Sequence, residues 1–350
     1  DAVEEYDTVQ FVNNIIKLSS RDEMTDESLI ELLKPTVNVE VVGNIRNRDF
    51  VIKLDNPHSF TEIETICSEL EALSDGFSAI PSYHSEWETS FVPNGSQWNK
   101  PEDTEAEWSD AIGSSGRNWG VEAINAPSLW DYQDQMEYTN VGVMDDGFFD
   151  LHEDLHFKEI YDENRPRDHH GTHVAGTISA MFNNKVGIDG VAPKTNLYGA
   201  SISSVSFDKG SKHYIADKYL QKLDWLINQK GCKVVNMSVG KKHRQVVEAS
   251  SKDGETRKEI VRESNQIARM LDYSIKYRGK EFVIVKSACN DNSGNTNENV
   301  QEVEAKWDIV SSISEAEFPE VYSRIIVVGS VGKRPKGFVI SDFSNFGERV

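Results

Sequence analysis

The stretch DHHGTHVAGTISA, residues 168–180, decides how the rest of the chain is read. His169 and His170 lead through Gly171 into a helical pattern in which Val174, Ala175, Ile178 and Met181 fall on one face. A histidine at the start of such a helix sits near the positive end of the helix dipole, which disfavours the imidazolium. A buried carboxylate beside it offsets that effect, fixes the tautomer and leaves one ring nitrogen as a base. The same stretch admits a metal site built from His169, His170 and His173, although neither the zincin spacing nor a cysteine ligand accompanies it. His173, one turn into the helix, reads more simply as a packed, hydrogen-bonded side chain.

A carboxylate is available upstream in VGVMDDGFFDLHEDL, residues 141–155. An apolar strand runs directly into Asp145-Asp146-Gly147, placing Asp145 at the carboxyl end of a strand, where open α/β sheets gather their sites. A plain turn made by Asp and Gly accounts for the same residues. Downstream, KVVNMSVG at 233–240 ends in Ser238, Val239 and Gly240, an edge to which an extended peptide can add as a strand. FVIVKSACNDN at 282–292 delivers Asn290 at a strand end, where its amide can donate to a developing oxyanion. An asparagine opening a loop is the plain alternative there.

Further apolar runs at 197–202 and 325–329 alternate with helical patterns over 172–182, 213–228 and 257–277. Buried strands alternating with helices predict an α/β fold, a largely parallel sheet with helices on both faces, over 121–350. Upstream, Val9, Val12 and Ile16 at helical spacing, with a second run at Ser28–Leu33, predict a helical leader over 1–35. Residues 36–92 read as a small α+β unit. Its marks are the alternation Val37, Val39, Val41, the strand FVIKL at 50–54 and a helix over 60–74 carrying Ile63, Ile66, Leu70 and Leu73. Residues 93–120, rich in Pro, Asn, Ser, Gly and acids, read as a linker.

Composition narrows the function classes. A formal net charge of −21 argues against nucleic acid as a partner, since binding it takes a basic footprint. No run of eighteen apolar residues occurs, so no membrane span is expected. Cys67, Cys232 and Cys289 are too few and too scattered for a disulfide framework or a zinc cluster and read as free thiols in apolar surroundings.

Taken together, these segments resemble the subtilase family of serine peptidases. The similarity lies in DDG with its trailing HEDL, HGTHVAGTISA, GVAPKTNLYGASI, WLINQKGCKVVNMSVG, SACNDN, and VVGSVG with SDFSNFGERV, in that order over about 120–350. The order Asp, then His, with Ser last, is the one subtilisin uses. The resemblance implies Asp145 as the orienting acid, His170 as the general base and Asn290 as the oxyanion donor. Ser238, Val239 and Gly240 would line the substrate backbone, and Asp291 would favour a basic substrate side chain. No cofactor is required for the chemistry. A structural calcium is implied at Asp154 and Asn184, with carbonyls near Val186 and Ile188.

Residues 36–92 resemble the family's inhibitory pro-domain, with a processing point in 84–117. The implied partners are therefore polypeptide substrates and an intramolecular pro-domain, and the implied location is secreted or cell-surface. Two departures stand out. Cys289 occupies the place where the family usually has Gly, and no Gly-Thr-Ser segment occurs in the 350 residues. The nucleophile is expected beyond Val350, and these residues alone are expected to be inactive. A peptide-binding pseudoprotease is the competing expectation, and a metallohydrolase using the histidines a third. The stretch 241–256 reads as a charged surface loop near the cleft.

Overall fold

The amino-terminal segment begins as strand rather than helix. In a computed structural model, β1 (Val3–Tyr6) pairs antiparallel with the twelve-residue β2 (Val9–Ser20). The structure describes residues 3–6, 9–45, 47–84, 86–89, 119–130, 132–161, 169–182, 184, 187–202, 215–242, 255–290, 305–334, 337–341, 343–347 and 349–350. Among its described residues, the leader expected to be helical over 1–35 is thus helical only in α1 (Asp26–Leu33), which Thr25 caps by accepting from the Ser28 N–H. Residues 11–20 are all buried. A strand buried on both faces shows no alternation, so the helical spacing of Val9, Val12 and Ile16 was coincidental. The β-branched residues Val12, Ile15 and Ile16 suit the strand better.

β3 (Val39–Ile45), β4 (Asp49–Leu54), α2 (Phe60–Ala72) and β5 (Phe77–His84) complete an antiparallel sheet of order β1-β2-β4-β3, with β5 also on β2. A capping box between Ser59 and Glu62 starts α2. Leu29, Leu33, Phe60, Ile63 and Leu70 of the two helices pack on Phe11, Ile16, Leu18, Ile52 and Ile80 of the sheet. The boundary expected at 36 therefore cuts through one folded unit, because β2 is its central strand. β6 (Glu86–Thr89) follows. Of the linker expected over 93–120, residues 93–118 lie outside the described residues, and the last two open a short helix, Trp119–Ala123.

The α/β part matches the expected class. Its strands are β7 (Thr139–Asp145), β8 (Phe157–Tyr161), β9 (Thr195–Ser201), β10 (Val234–Met237), β12 (Val283–Ser287) and β13 (Ile325–Val328). They form one six-stranded sheet of order β13-β12-β10-β7-β9-β8, parallel throughout. On one face, α3 (His169–Ser179) packs through Ala175 against Val143, Phe148 and Leu197. On the other, α4 (Ile215–Asp224) and α5 (Glu255–Arg278) bring Leu220, Leu223, Ile267 and Leu271 onto Val235, Met237 and Ile284. β11 (Val239–Lys242) leaves the sheet just after β10. Most of the loop expected at 241–256 lies outside the described residues, between β11 and α5. β14 (Val331–Arg334) and β15 (Gly337–Ile340) form a hairpin near the carboxyl terminus. No described helix is long and apolar enough to cross a membrane.

Helix α5 holds the two units together with unlike faces. Ile267, Ala268 and Leu271 enter the apolar core, whereas Glu259, Glu263 and Gln266 are buried polar residues. Toward the amino-terminal unit, Glu263 accepts from Lys17 Nζ at 2.9 Å, with both side chains buried. Arg262 donates to Tyr83 Oη at 2.5 Å and to Glu64 at 2.6 Å. Tyr273 donates to Glu23 at 3.0 Å while Arg48 stacks over its ring.

Candidate active site

The register of the parallel sheet brings the candidate residues to one end. Met144, Met237 and Lys286 stand side by side on β7, β10 and β12. Beyond that row the three strands deliver Asp145, Ser238 and the Ser287–Asn290 turn, all at their carboxyl ends. The sheet thus gathers at one edge what the sequence spreads over some 145 positions.

Asp145 and His170 meet directly. His170 Nδ1 lies 2.5 Å from Asp145 Oδ1, with the aspartate side chain fully buried and the histidine 12% exposed. The Asp146 N–H also donates to Asp145 Oδ1, at 2.8 Å. With a carboxylate on Nδ1, the ring carries its proton there in the neutral state, so acceptance of a further proton falls to Nε2. The approach depends on Gly171. A Cβ there would stand 2.2 Å from the Gly147 carbonyl oxygen and 3.0 Å from Asp145 Cβ. Glycine lets the first turn of α3 close on the Asp145–Gly147 turn. That turn is held by Thr172 Oγ1 accepting from the Phe149 N–H, and by Ser201 Oγ donating to the Asp146 carbonyl.

Metal ligands do not gather around the described histidines of that cluster, His170 and His173. Among the described residues no group of three His, Cys, Asp or Glu side chains is arranged to hold an ion. His173 is exposed one turn into the helix rather than packed, and desolvation, then the neighbouring His170, lower its pKa. His169 begins α3, and its side chain lies outside the described residues.

At the strand end expected to line substrate, Val239 is fully buried, Gly240 is buried, and Ser238 Oγ accepts from Asn236 at 3.0 Å. β11 pairs antiparallel with β6: Val239 faces Thr89, Gly240 faces Glu88 and Lys242 faces Glu86. Asn290 is partly exposed at the end of its turn. The preceding Cys289 adopts φ +72°, the left-handed region that glycine takes readily and cysteine rarely. The FSNFG stretch docks there, with the Asn345 N–H donating to the Cys289 carbonyl at 3.0 Å. Asp291 lies outside the described residues.

Asp154 and Asn184 do come together, but through N–H groups. Asn184 Nδ2 donates to Asp154 Oδ1 at 2.8 Å, and the Ile188 N–H donates to Oδ2 at 2.9 Å. Gly187, at φ +62°, brings the loop so close that a Cβ would stand 2.2 Å from Asp154 Oδ2. Burial, opposed by these bonds, raises the Asp154 pKa. Calcium takes six to eight oxygens. One carboxylate already engaged by N–H donors does not fit it in this arrangement, and Val186 lies outside the described residues.

Two features escaped the sequence reading. Gly171 reads in the sequence as a mere step into the helix, although its place between histidine and helix signals close approach. Lys286, in the otherwise apolar FVIVKSA, is fully buried and pairs with Asp308 at 3.6 Å behind the Cys289 turn. A charge inside an apolar strand was the signal that could have found it.

The subtilase family model matches residues 137–350. Subtilisin E of Bacillus subtilis is 33% identical over 129 residues, which is 35% of this chain and 32% of that protein. Subtilisin Savinase of Lederbergia lenta is 36% identical over 128 residues, 35% of this chain and 45% of its own. The alignments thus take in less than half of either relative. Among solved structures, fervidolysin from Fervidobacterium pennivorans, a keratinolytic enzyme related to subtilisin, aligns over 98% of this chain and 46% of its own. The TM-score is 0.61 at 22% identity. The epidermin leader peptide processing serine protease of Staphylococcus aureus aligns over 95% of this chain and 72% of its own, with a TM-score of 0.52 at 17% identity. At these identities the two structures speak for the fold. The family match takes in more than half of the residues, and by it the chain belongs to the subtilase family.

Proposed function

We propose that the chain comprises an inhibitory pro-domain and most of the catalytic domain of a serine endopeptidase, whose nucleophile is a serine following Val350. The observation that carries the proposal is the 2.5 Å contact between His170 Nδ1 and the buried Asp145, at the same sheet end as Asn290. In this mechanism His170 Nε2 takes the serine proton as the hydroxyl attacks the scissile carbonyl. Asp145 steadies the imidazolium, and the Asn290 amide donates to the oxyanion. His170 then passes the proton to the departing amine, and water repeats the sequence on the acyl-enzyme. The FSNFG stretch, already bonded to the Cys289 carbonyl, leads the chain toward this place.

The amino-terminal unit is the proposed intramolecular partner. Its β6 pairs along residues 239–242, the strand assigned to substrate backbone. Strand addition of this kind occupies the cleft as a substrate would. The seam on α5 is built of ion pairs and hydrogen bonds, which favours a unit that can separate over one fused to the core. The family supports polypeptide substrates and a place outside the cell or on its surface. A basic-residue preference from Asp291 remains part of the proposal.

The test is made on the full-length protein with a fluorogenic peptide and a serine-directed phosphonate. The expected result is cleavage, one covalent label on a residue beyond Val350, and loss of both after His170→Ala. A protein that binds peptides but takes no label and cleaves nothing is a pseudoprotease and overturns the proposal. Activity lost to a chelator with no phosphonate labelling overturns it in favour of metal chemistry.

A further inference from the structure

Three polar side chains outside the proposed triad converge beneath Gly240. A Cβ at that position would stand 2.7 Å from Cys289 Sγ, 3.3 Å from Asp308 Oδ2 and 3.7 Å from Lys286 Nζ. Lys286 is fully buried; its Nζ donates to the Ser287 carbonyl at 2.8 Å and to Cys289 Sγ at 3.4 Å. Asp308, 7% exposed, directs Oδ2 at this ammonium from 3.6 Å, and that oxygen has no hydrogen-bond partner among the described residues. Burial pulls the Lys286 pKa down, but Asp308 and then Cys289 pull it up further, so the lysine stays charged.

The three cysteines are free thiols, but only Cys67 and Cys232 have the apolar surroundings expected of all three; Cys289 lies beside Lys286. Cys67 and Cys232 are buried, and burial pushes both thiols up, that of Cys232 to about 12. Cys289 is partly exposed, with an ammonium against its sulfur. A cation at hydrogen-bonding distance favours the thiolate, the form that reacts with peroxides and alkylating agents.

We propose that Cys289 is a peroxide-sensitive thiol whose oxidation reversibly closes the substrate cleft. The sulfur attacks one peroxide oxygen as the O–O bond breaks. The sulfur is oxidised by two electrons to the sulfenic acid, the peroxide is reduced, and the thiol proton leaves with the second oxygen as water. Reduction by two added thiols, through a mixed disulfide that releases water, returns the free cysteine. The new oxygen has no room toward Gly240, so it displaces β11 or turns Asn290. That consequence for cleavage rests on the proposed endopeptidase activity; the reactivity of the thiol does not.

The experiment treats full-length protein with hydrogen peroxide and dimedone and maps the adducts, alongside the peptidase rate. Cys289 is expected to label about tenfold or more faster than Cys67 and Cys232, as a thiolate beside a cation does against buried thiols. Peptidase activity should fall with labelling and return with dithiothreitol when dimedone is omitted. Cys289→Ser should hold its own untreated rate through the same peroxide exposure. The neutral pair Lys286→Met with Asp308→Asn, folded by circular dichroism, should label more slowly at Cys289. Labelling of Cys289 no faster than the buried thiols overturns the proposal, as does equal loss of activity in Cys289→Ser. A protein with no peptidase rate before treatment counts against the endopeptidase reading instead, and labelling alone then decides the thiol.

Discussion

At the scale of single residues, two positions carry most of the proposed chemistry and one carries its geometry. Asp145→Asn would give His170 Nδ1 an amide in place of a carboxylate and so favour the wrong tautomer. In the full-length protein we expect kcat to fall on the order of ten-thousandfold, as the equivalent change does in an unrelated serine protease, with the fold intact by circular dichroism. Gly171→Ala tests the geometry, since its Cβ would meet the Gly147 carbonyl at 2.2 Å. Backbone has little freedom to retreat, so the expected cost is about 1–3 kcal/mol of stability by denaturant unfolding, with activity lost as α3 shifts.

At the scale of elements, the informative contact is the one between β2 and α5. Lys17 and Glu263 are both buried, 6% and 4% exposed, and lie 2.9 Å apart. Removing one member of a buried ion pair strands the other in a poor dielectric, whereas removing both together costs little. Lys17→Met or Glu263→Leu alone should destabilise the docked unit by about 3–5 kcal/mol, and the double change should recover most of that loss. A double-mutant cycle in chemical denaturation reads the difference. Additive single effects would mean that the seam is held by its other contacts.

At the scale of the molecule, the seam between the units holds a partly open pocket of about 450 Å³, lined in part by Arg48, Asp49, Asp224 and Arg269. Burial raises the Asp49 carboxyl to about 6; Asp224 across the seam adds to this, while Ser19, Arg48 and Arg269 oppose it. A carboxyl that titrates higher in the folded state contributes stability that is fully present below its ordinary value of 3.8. That contribution is lost as the pH rises through about 6. Stability measured between pH 4 and 8 should carry this falling component, and Asp49→Asn should remove it. An unchanged pH profile in the variant would show that Asp49 titrates alike in both states. In the proposed enzyme, the same slope loosens the pro-domain toward neutral pH.

The sequence alone determined the class of the sheet, the family and the pairing of Asp145 with His170. Each is written in local pattern: an apolar run ending in DDG, a histidine and glycine opening a helix, an asparagine closing a strand. What it misjudged was β2, because a strand buried on both faces has no period to read, and its role as the centre of a sheet is visible only once β4 and β5 flank it. Tertiary structure also decided the pairing of β6 with β11, the buried Lys17–Glu263 contact and the cluster under Gly240. These join residues far apart in the chain, and Coulomb and packing terms between such residues exist only after the parallel sheet and α5 have brought them within a few ångströms.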